Sequence, residues 1–155
     1  MEISSPVFKD GEMLPMKYTC DGKGINPPVV ISNIPKGTVS LALIMDDPDA
    51  PSGIWTHWTI WNIDPECNVI IEEYSTEDMV VEDIVMLAIE GTTSDGTVGY
   101  HGPCPPLGVH HYQFKAYALN SILSLDSSAK KESLEKAMES HVIDQALLVG
   151  LYERK

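Results

Sequence analysis

The sequence predicts a mainly β, antiparallel fold, and three observations carry that prediction. Several short runs of β-branched and aromatic residues are bounded by turn signals. Convincing helical spacing occurs once. The 155 residues include 11 glycines and 11 prolines, enough to punctuate many turns. This length suits one domain, residues 1–155, with a single sizeable core.

The elements follow in order. Pro27 to Ile34 (PPVVISNI) is β-branched and ends at the turn signal Pro35-Lys36-Gly37. Thr38 to Met45 (TVSLALIM) is apolar on both faces over most of its length and reads as a central strand. Asp46 to Gly53 is a loop by composition, His57 to Ile63 (HWTIWNI) a second strong strand, and Asp64-Pro65 its stop. Glu66 to Asp83 is acidic and irregular, with Glu72, Glu73, Glu77, Asp78, Glu82 and Asp83 forming a solvated face rather than a calcium loop. A strand is expected over Ile84 to Ile89, and a long loop over Gly91 to Gly108. His110 to Leu119 (HHYQFKAYAL) is another strand. Leu134, Ala137, Met138 and His141 recur at helical spacing, with Ser127 or Ser128 as cap, and Val142 to Tyr152 is a final strand.

Charge and cysteines narrow the function classes. Lys plus Arg number 10 against 23 Asp plus Glu, a formal charge of −13. Such a surface repels phosphate backbones and anionic headgroups, so neither nucleic-acid binding nor stable membrane insertion is expected. The N-terminus has an early acid and no apolar signal-peptide core, and the longest apolar run, Leu41 to Met45, is far too short to span a bilayer. Cys20, Cys67 and Cys104 are an odd set without a Cys-x-x-Cys pair, which argues against a disulfide framework and for a cytoplasmic, reducing location.

Strand parity brings polar residues together. Val39, Leu41, Leu43 and Met45 share a face, which Asp47 continues. His57 opens a face with Thr59, Trp61 and Ile63, and His110 one with Tyr112, Phe114, Ala116 and Ala118. The short connection between the first two strands makes them antiparallel, so Asp47 and His57 fall at one end of the sheet. With the His110 strand beside the His57 strand, His110 joins them, together with the Gly91 to Gly108 loop. Imidazole donors and loop N–H groups then form a pocket for a phosphate or carboxylate, lined by Asp47, Asp49, His57 and His110.

At these residues the chain resembles the phosphatidylethanolamine-binding family, also called Raf kinase inhibitor-like proteins, in its bacterial and archaeal branch. The resemblance rests on DPDAP at Asp47–Pro51 followed by His57-Trp58, and on GPCPP at Gly102–Pro106 followed by Gly108-Val109-His110-His111-Tyr112. Tyr18-Thr19-Cys20-Asp21-Gly22, Pro27-Pro28 and the ending Leu148-Val149-Gly150 with Tyr152 and Arg154 extend it over nearly the whole chain. It implies a β-sandwich-like fold with one or two short helices and an anion pocket lined by Asp47, Asp49, Pro51, Trp55, His57, Gly102, Pro103, His110 and Tyr112. It also admits a Cys20–Cys104 pairing, which a reducing cytoplasm would not need, and Cys104 is expected not to be a nucleophile. The family usually has Arg where this chain has His111, which weakens an ion pair to Asp49 and leaves local charge dependent on pH. The extra C-terminal helix of longer eukaryotic members is also missing, which speaks against phospholipid binding and kinase inhibition.

The expected function is a non-enzymatic binding or regulatory protein without cofactor. Its partners would be a small anionic ligand, a protein such as an enzyme to be inhibited, or a second copy of the chain. One alternative is a kinase or protease inhibitor acting through surface contacts. Another is a metal-dependent hydrolase using Asp47, His57 and His110. A Ser52-His57-Asp47 triad is weaker still, because no Gly-x-Ser-x-Gly elbow is present.

Overall fold

The architecture rests on one strand, β3 (Ser40–Asp47), buried along its whole length. The structure, a computed structural model, describes residues 1–74 and 88–155, and between them the backbone strands β6 (Val80–Val81) and β7 (Ile84–Val85). Before β3 come β1 (Glu2–Ser4), a 3-10 turn at Met16–Tyr18 and β2 (Val29–Ser32). After it come β4 (Trp55–Ile63), β5 (Val69–Ile70), β8 (Ile89–Glu90), β9 (His110–Leu119), helix α1 (Lys131–Met138) and β10 (Val142–Tyr152).

A five-stranded sheet runs β10-β9-β3-β4-β8 and faces a three-stranded sheet, β1-β2-β5; β6 and β7 form a separate pair. All these pairings are antiparallel. The fold is mainly β, as the alternation and turn signals predict. Leu41, Leu43 and Met45 of β3 and Tyr112, Phe114, Ala116 and Ala118 of β9 point into the main core. Val29, Ile31 and Ile70 meet them from the smaller sheet. Ala42 and Ile44 point the other way, where Leu134 and Met138 of α1 cover them together with Trp61 and Leu123. Each such large apolar side chain, fully buried, contributes about 2–3 kcal/mol of transfer free energy.

Several expectations shift. β3 starts two residues late, because the Thr38 N–H and hydroxyl both bond the Pro35 carbonyl in a turn, and it extends through Asp47. Val39 therefore lies outside the strand and is exposed. β9 pairs with β3 rather than β4, so β3 is the strand in the middle. The strand expected over Ile84 to Ile89 is two short pieces, β7 and β8, with residues 86–87 outside the described set. Glu77, Asp78, Glu82 and Asp83 also lie outside it. The helix begins at Lys131 with Lys130 at its cap and no side-chain cap bond, while Ser128 bonds Asp126 one turn earlier.

The parity expected for β4 is broken twice. Between β3 and β4 the pairing runs Met45↔Trp58 and then Asp46↔Thr56, so His57 is an extra, bulged residue. A second shift separates Leu43↔Ile60 from Leu41↔Ile63, beside Asn62, whose φ is +57°. As a result Trp58, Ile60 and Ile63 face the main core, and Thr59 and Trp61 do not share their side.

Candidate functional site

The ends of β3, β4 and β9 meet the loop before β9 around a cavity of about 310 Å³. Of the residues expected at a site, Asp47, Pro51, Trp55, His57, His110 and Tyr112 line it. Asp49, Gly102 and Pro103 lie outside its lining. Ala50, Ser52, His101, Cys104, Pro105 and Pro106 complete it, and strand parity had no means of finding these loop residues.

Asp47 closes β3 and is 3% exposed. Its Oδ2 lies 2.6 Å from His110 Nδ1, and its Oδ1 accepts the Asp49 N–H at 2.8 Å. One carboxylate thus fixes the first histidine ring and folds the Asp-Pro-Asp loop as an Asx-turn. His110 reaches this end because β9 runs antiparallel to β3, with Gln113 opposite Asp46. Tyr112, two residues on and fully buried, places its ring edge-on to His57 at 5.2 Å and nearly parallel to His110 at 6.4 Å. Its hydroxyl is buried and makes no hydrogen bond of normal geometry among the described residues, although the Asp47 carboxylate stands near enough to interact with it. Burial, with the nearby Asp47 charge, pushes the phenol pKa far up, so the proton stays on.

His57 sits differently. Its Nδ1 is 2.8 Å from the His101 carbonyl, and the His101 N–H returns a bond of 2.8 Å to the His57 carbonyl. A carbonyl only accepts, so Nδ1–H donates. Burial lowers the imidazole pKa from 6.5 to about 4. This corrects the expectation that both imidazoles serve as donors: near neutral pH His57 is uncharged, and its Nε2 is an acceptor.

The loop opposite is anchored to the segment after the 3-10 turn. Cys20 and Cys104 form a disulfide across a sequence separation of 84. The odd cysteine count argues against a disulfide framework, and the pairing made is the Cys20–Cys104 one that the family resemblance admits. Only Cys67 is free. The Cys20 N–H donates to the Pro103 carbonyl at 3.0 Å. A Cβ at Gly102 would stand 3.1 Å from the Thr19 carbonyl carbon, so the approach of the two backbones favours glycine there. His111 is exposed and its N–H and Nδ1 both reach Asp49 Oδ2, at 2.8 and 2.7 Å. Those bonds hold the Asp49 pKa below its ordinary value. The pair expected to weaken without Arg is therefore made by His111.

The hydrolytic alternatives find no assembly here. Asp47 binds His110 rather than His57, so the Ser52-His57-Asp47 relay is not formed. Among the described residues no group of three or more His, Cys, Asp or Glu side chains is arranged to hold a metal ion. No helix among them is long and apolar enough to cross a membrane.

The sequence profile described as Phosphatidylethanolamine-binding protein matches residues 4–153. The chain belongs to that family. A UPF0098 protein of Methanothermobacter thermautotrophicus is 44% identical over 99% of both chains. Another, from Pyrococcus horikoshii, is 49% identical over all of this chain and 77% of its own. Among solved structures, a putative phosphatidylethanolamine-binding protein homologue from Chlamydia trachomatis superposes with a TM-score of 0.89 at 37% identity, covering 99% of this chain and 97% of that one. YbcL of E. coli, described as a new member of the mammalian family, gives 0.88 at 31% identity, covering 99% and 98%.

Proposed function

We propose that this family member is a non-enzymatic binding protein that takes a small anion, phosphate or a phosphorylated headgroup-like group, in the cavity at the end of the five-stranded sheet. One observation carries the reading: the Tyr112 hydroxyl, buried in the cavity wall with only a weak interaction to the Asp47 carboxylate and no hydrogen bond of normal geometry. An orphaned buried donor costs about 1–3 kcal/mol, and a ligand oxygen would relieve that cost. Beside it, His110 uses Nδ1 on Asp47 and keeps Nε2 for a ligand; when protonated, it donates there. The overall charge of −13 does not oppose this, because contacts within a few ångströms outweigh charges beyond a Debye length of about 8 Å.

Calorimetric titration of the purified protein with inorganic phosphate, wild type against Tyr112→Phe, tests it. The variant should fold with stability within about 1 kcal/mol of wild type, since the hydroxyl gives up only its interaction with the Asp47 carboxylate, and should bind phosphate about tenfold more weakly. Equal phosphate affinity in the two proteins would end the proposal.

A further inference from the structure

We infer that the cavity selects an anion that still carries a proton, a phosphomonoester or hydrogen phosphate, over a diester or a fully deprotonated anion, and that His57 makes the choice. The inference rests on the anion-pocket reading and narrows it to a ligand class.

The geometry gives His57 one role toward a ligand. Its ring is locked by the two reciprocal bonds with His101, and the proton on Nδ1 is committed to a carbonyl. Nε2 has no partner among the described residues, and the ring lines the cavity while being only 4% exposed. The groups facing it are the rings of Tyr112 and His101 and the Asp47 carboxylate, while the Asp46 carboxylate acts on it more weakly from the other face of the sheet. Burial is the largest influence on the ring and keeps it neutral, against the opposing pull of the His101 carbonyl and the two carboxylates. Nε2 therefore offers a lone pair.

A ligand seated between Tyr112, His110 and His57 meets a donor at Tyr112 and an acceptor at His57. A phosphomonoester, whose second pKa is about 6, supplies both functions at about pH 6: bare oxygens for the phenol and a P–OH for the imidazole. Sulfate and phosphodiesters have no proton to give, so a ligand oxygen would face the Nε2 lone pair and leave a buried acceptor unpaired. The Asp47 carboxylate in the same wall adds repulsion against a dianion. The headgroup phosphate of an intact phospholipid is a diester. It should fit less well than the same headgroup released as phosphorylethanolamine.

The test is a set of calorimetric titrations of the intact, disulfide-bonded protein at about pH 6, where phosphomonoesters retain much of their proton. The probes are inorganic phosphate, phosphorylethanolamine, glycerophosphoethanolamine and sulfate. Phosphate and phosphorylethanolamine should each bind at least about tenfold tighter than sulfate and the diester, the ratio that one hydrogen bond to a buried partner supports. In His57→Phe, which keeps a ring and removes the acceptor, that preference should shrink to within about threefold. Sulfate or the diester binding as tightly as phosphate to the wild type would overturn the inference while leaving an anion pocket. A preference that survives in the variant would take the choice away from His57. Failure of all four probes to bind the wild type would remove the pocket reading as well. The wild-type ratios are decisive even where the variant folds poorly.

Discussion

Asp46 and Asp47 are neighbours in one strand, both buried, and they point to opposite faces of the five-stranded sheet with opposite consequences. Asp46 faces the helix side, where Lys115 Nζ at 3.0 Å and Lys131 Nζ at 3.4 Å surround its Oδ2. Asp47 faces the cavity side, where its partners are a histidine ring and a loop N–H. The two ammonium groups converge on one carboxylate oxygen, so the first arrangement ties α1 and β9 to β3. Histidine has a second nitrogen, so the Asp47 arrangement leaves a functional group pointing at space. The same side chain at adjacent positions builds an anchor on one face and lines the proposed site on the other.

The largest expected effect probes what holds the cavity side together. Replacing both Cys20 and Cys104 by serine opens a cross-link spanning 84 residues and should lower unfolding free energy by about 4 kcal/mol in urea titrations, since long loops carry the larger chain-entropy effect. A loss below about 1 kcal/mol would mean that the Cys20–Pro103 and Gly102–Thr19 contacts hold the loop without the bond.

Next comes the pair of aspartates itself. Asp46→Ala leaves Lys131 nearly buried without its partner and should cost about 3 kcal/mol, with phosphate affinity within about threefold of wild type. Asp47→Asn keeps an acceptor for His110 and should cost only about 1 kcal/mol, yet weaken phosphate binding by at least about tenfold. Matching profiles for the two variants would dissolve the distinction between anchor and site.

A pH effect is smaller but specific. His57 titrates at about 4 in the fold against 6.5 when free, so the folded chain binds fewer protons between those values. Its contribution to stability is complete above pH 6.5 and is lost as pH falls toward 4, by about 2–3 kcal/mol over the full window. Denaturation midpoints followed from pH 7 to pH 4 should show this slope flattened in His57→Phe. An unchanged slope in the variant would assign the acid sensitivity elsewhere.

The sequence announces β4, β9 and β10 almost to the residue, because each is long, apolar on at least one face and bounded by turns or polar loops. It also brings Asp47, His57, His110 and Tyr112 to one end of the sheet. It does not disclose why His57 arrives there. Parity places it with Thr59 and Trp61, whereas a bulge opposite Met45 and Asp46 re-aims it, and a bulge belongs to a strand pair rather than to either strand alone. Asn62 carries the one local hint of the second shift, since asparagine tolerates the left-handed region. The disulfide is hidden for a related reason: three cysteines do not state which two meet. The neutral state of His57 follows from its burial and its tautomer from a backbone carbonyl 44 residues away, both beyond the reach of any local pattern.

A crystal structure grown with inorganic phosphate tests the central claim most directly, because it shows both faces of the sheet at once. The account predicts phosphate in the cavity, with oxygens about 3 Å from Tyr112 Oη, His110 Nε2 and His57 Nε2. Phosphate found instead beside Lys115 and Lys131 on the helix face, with the cavity empty, would contradict it.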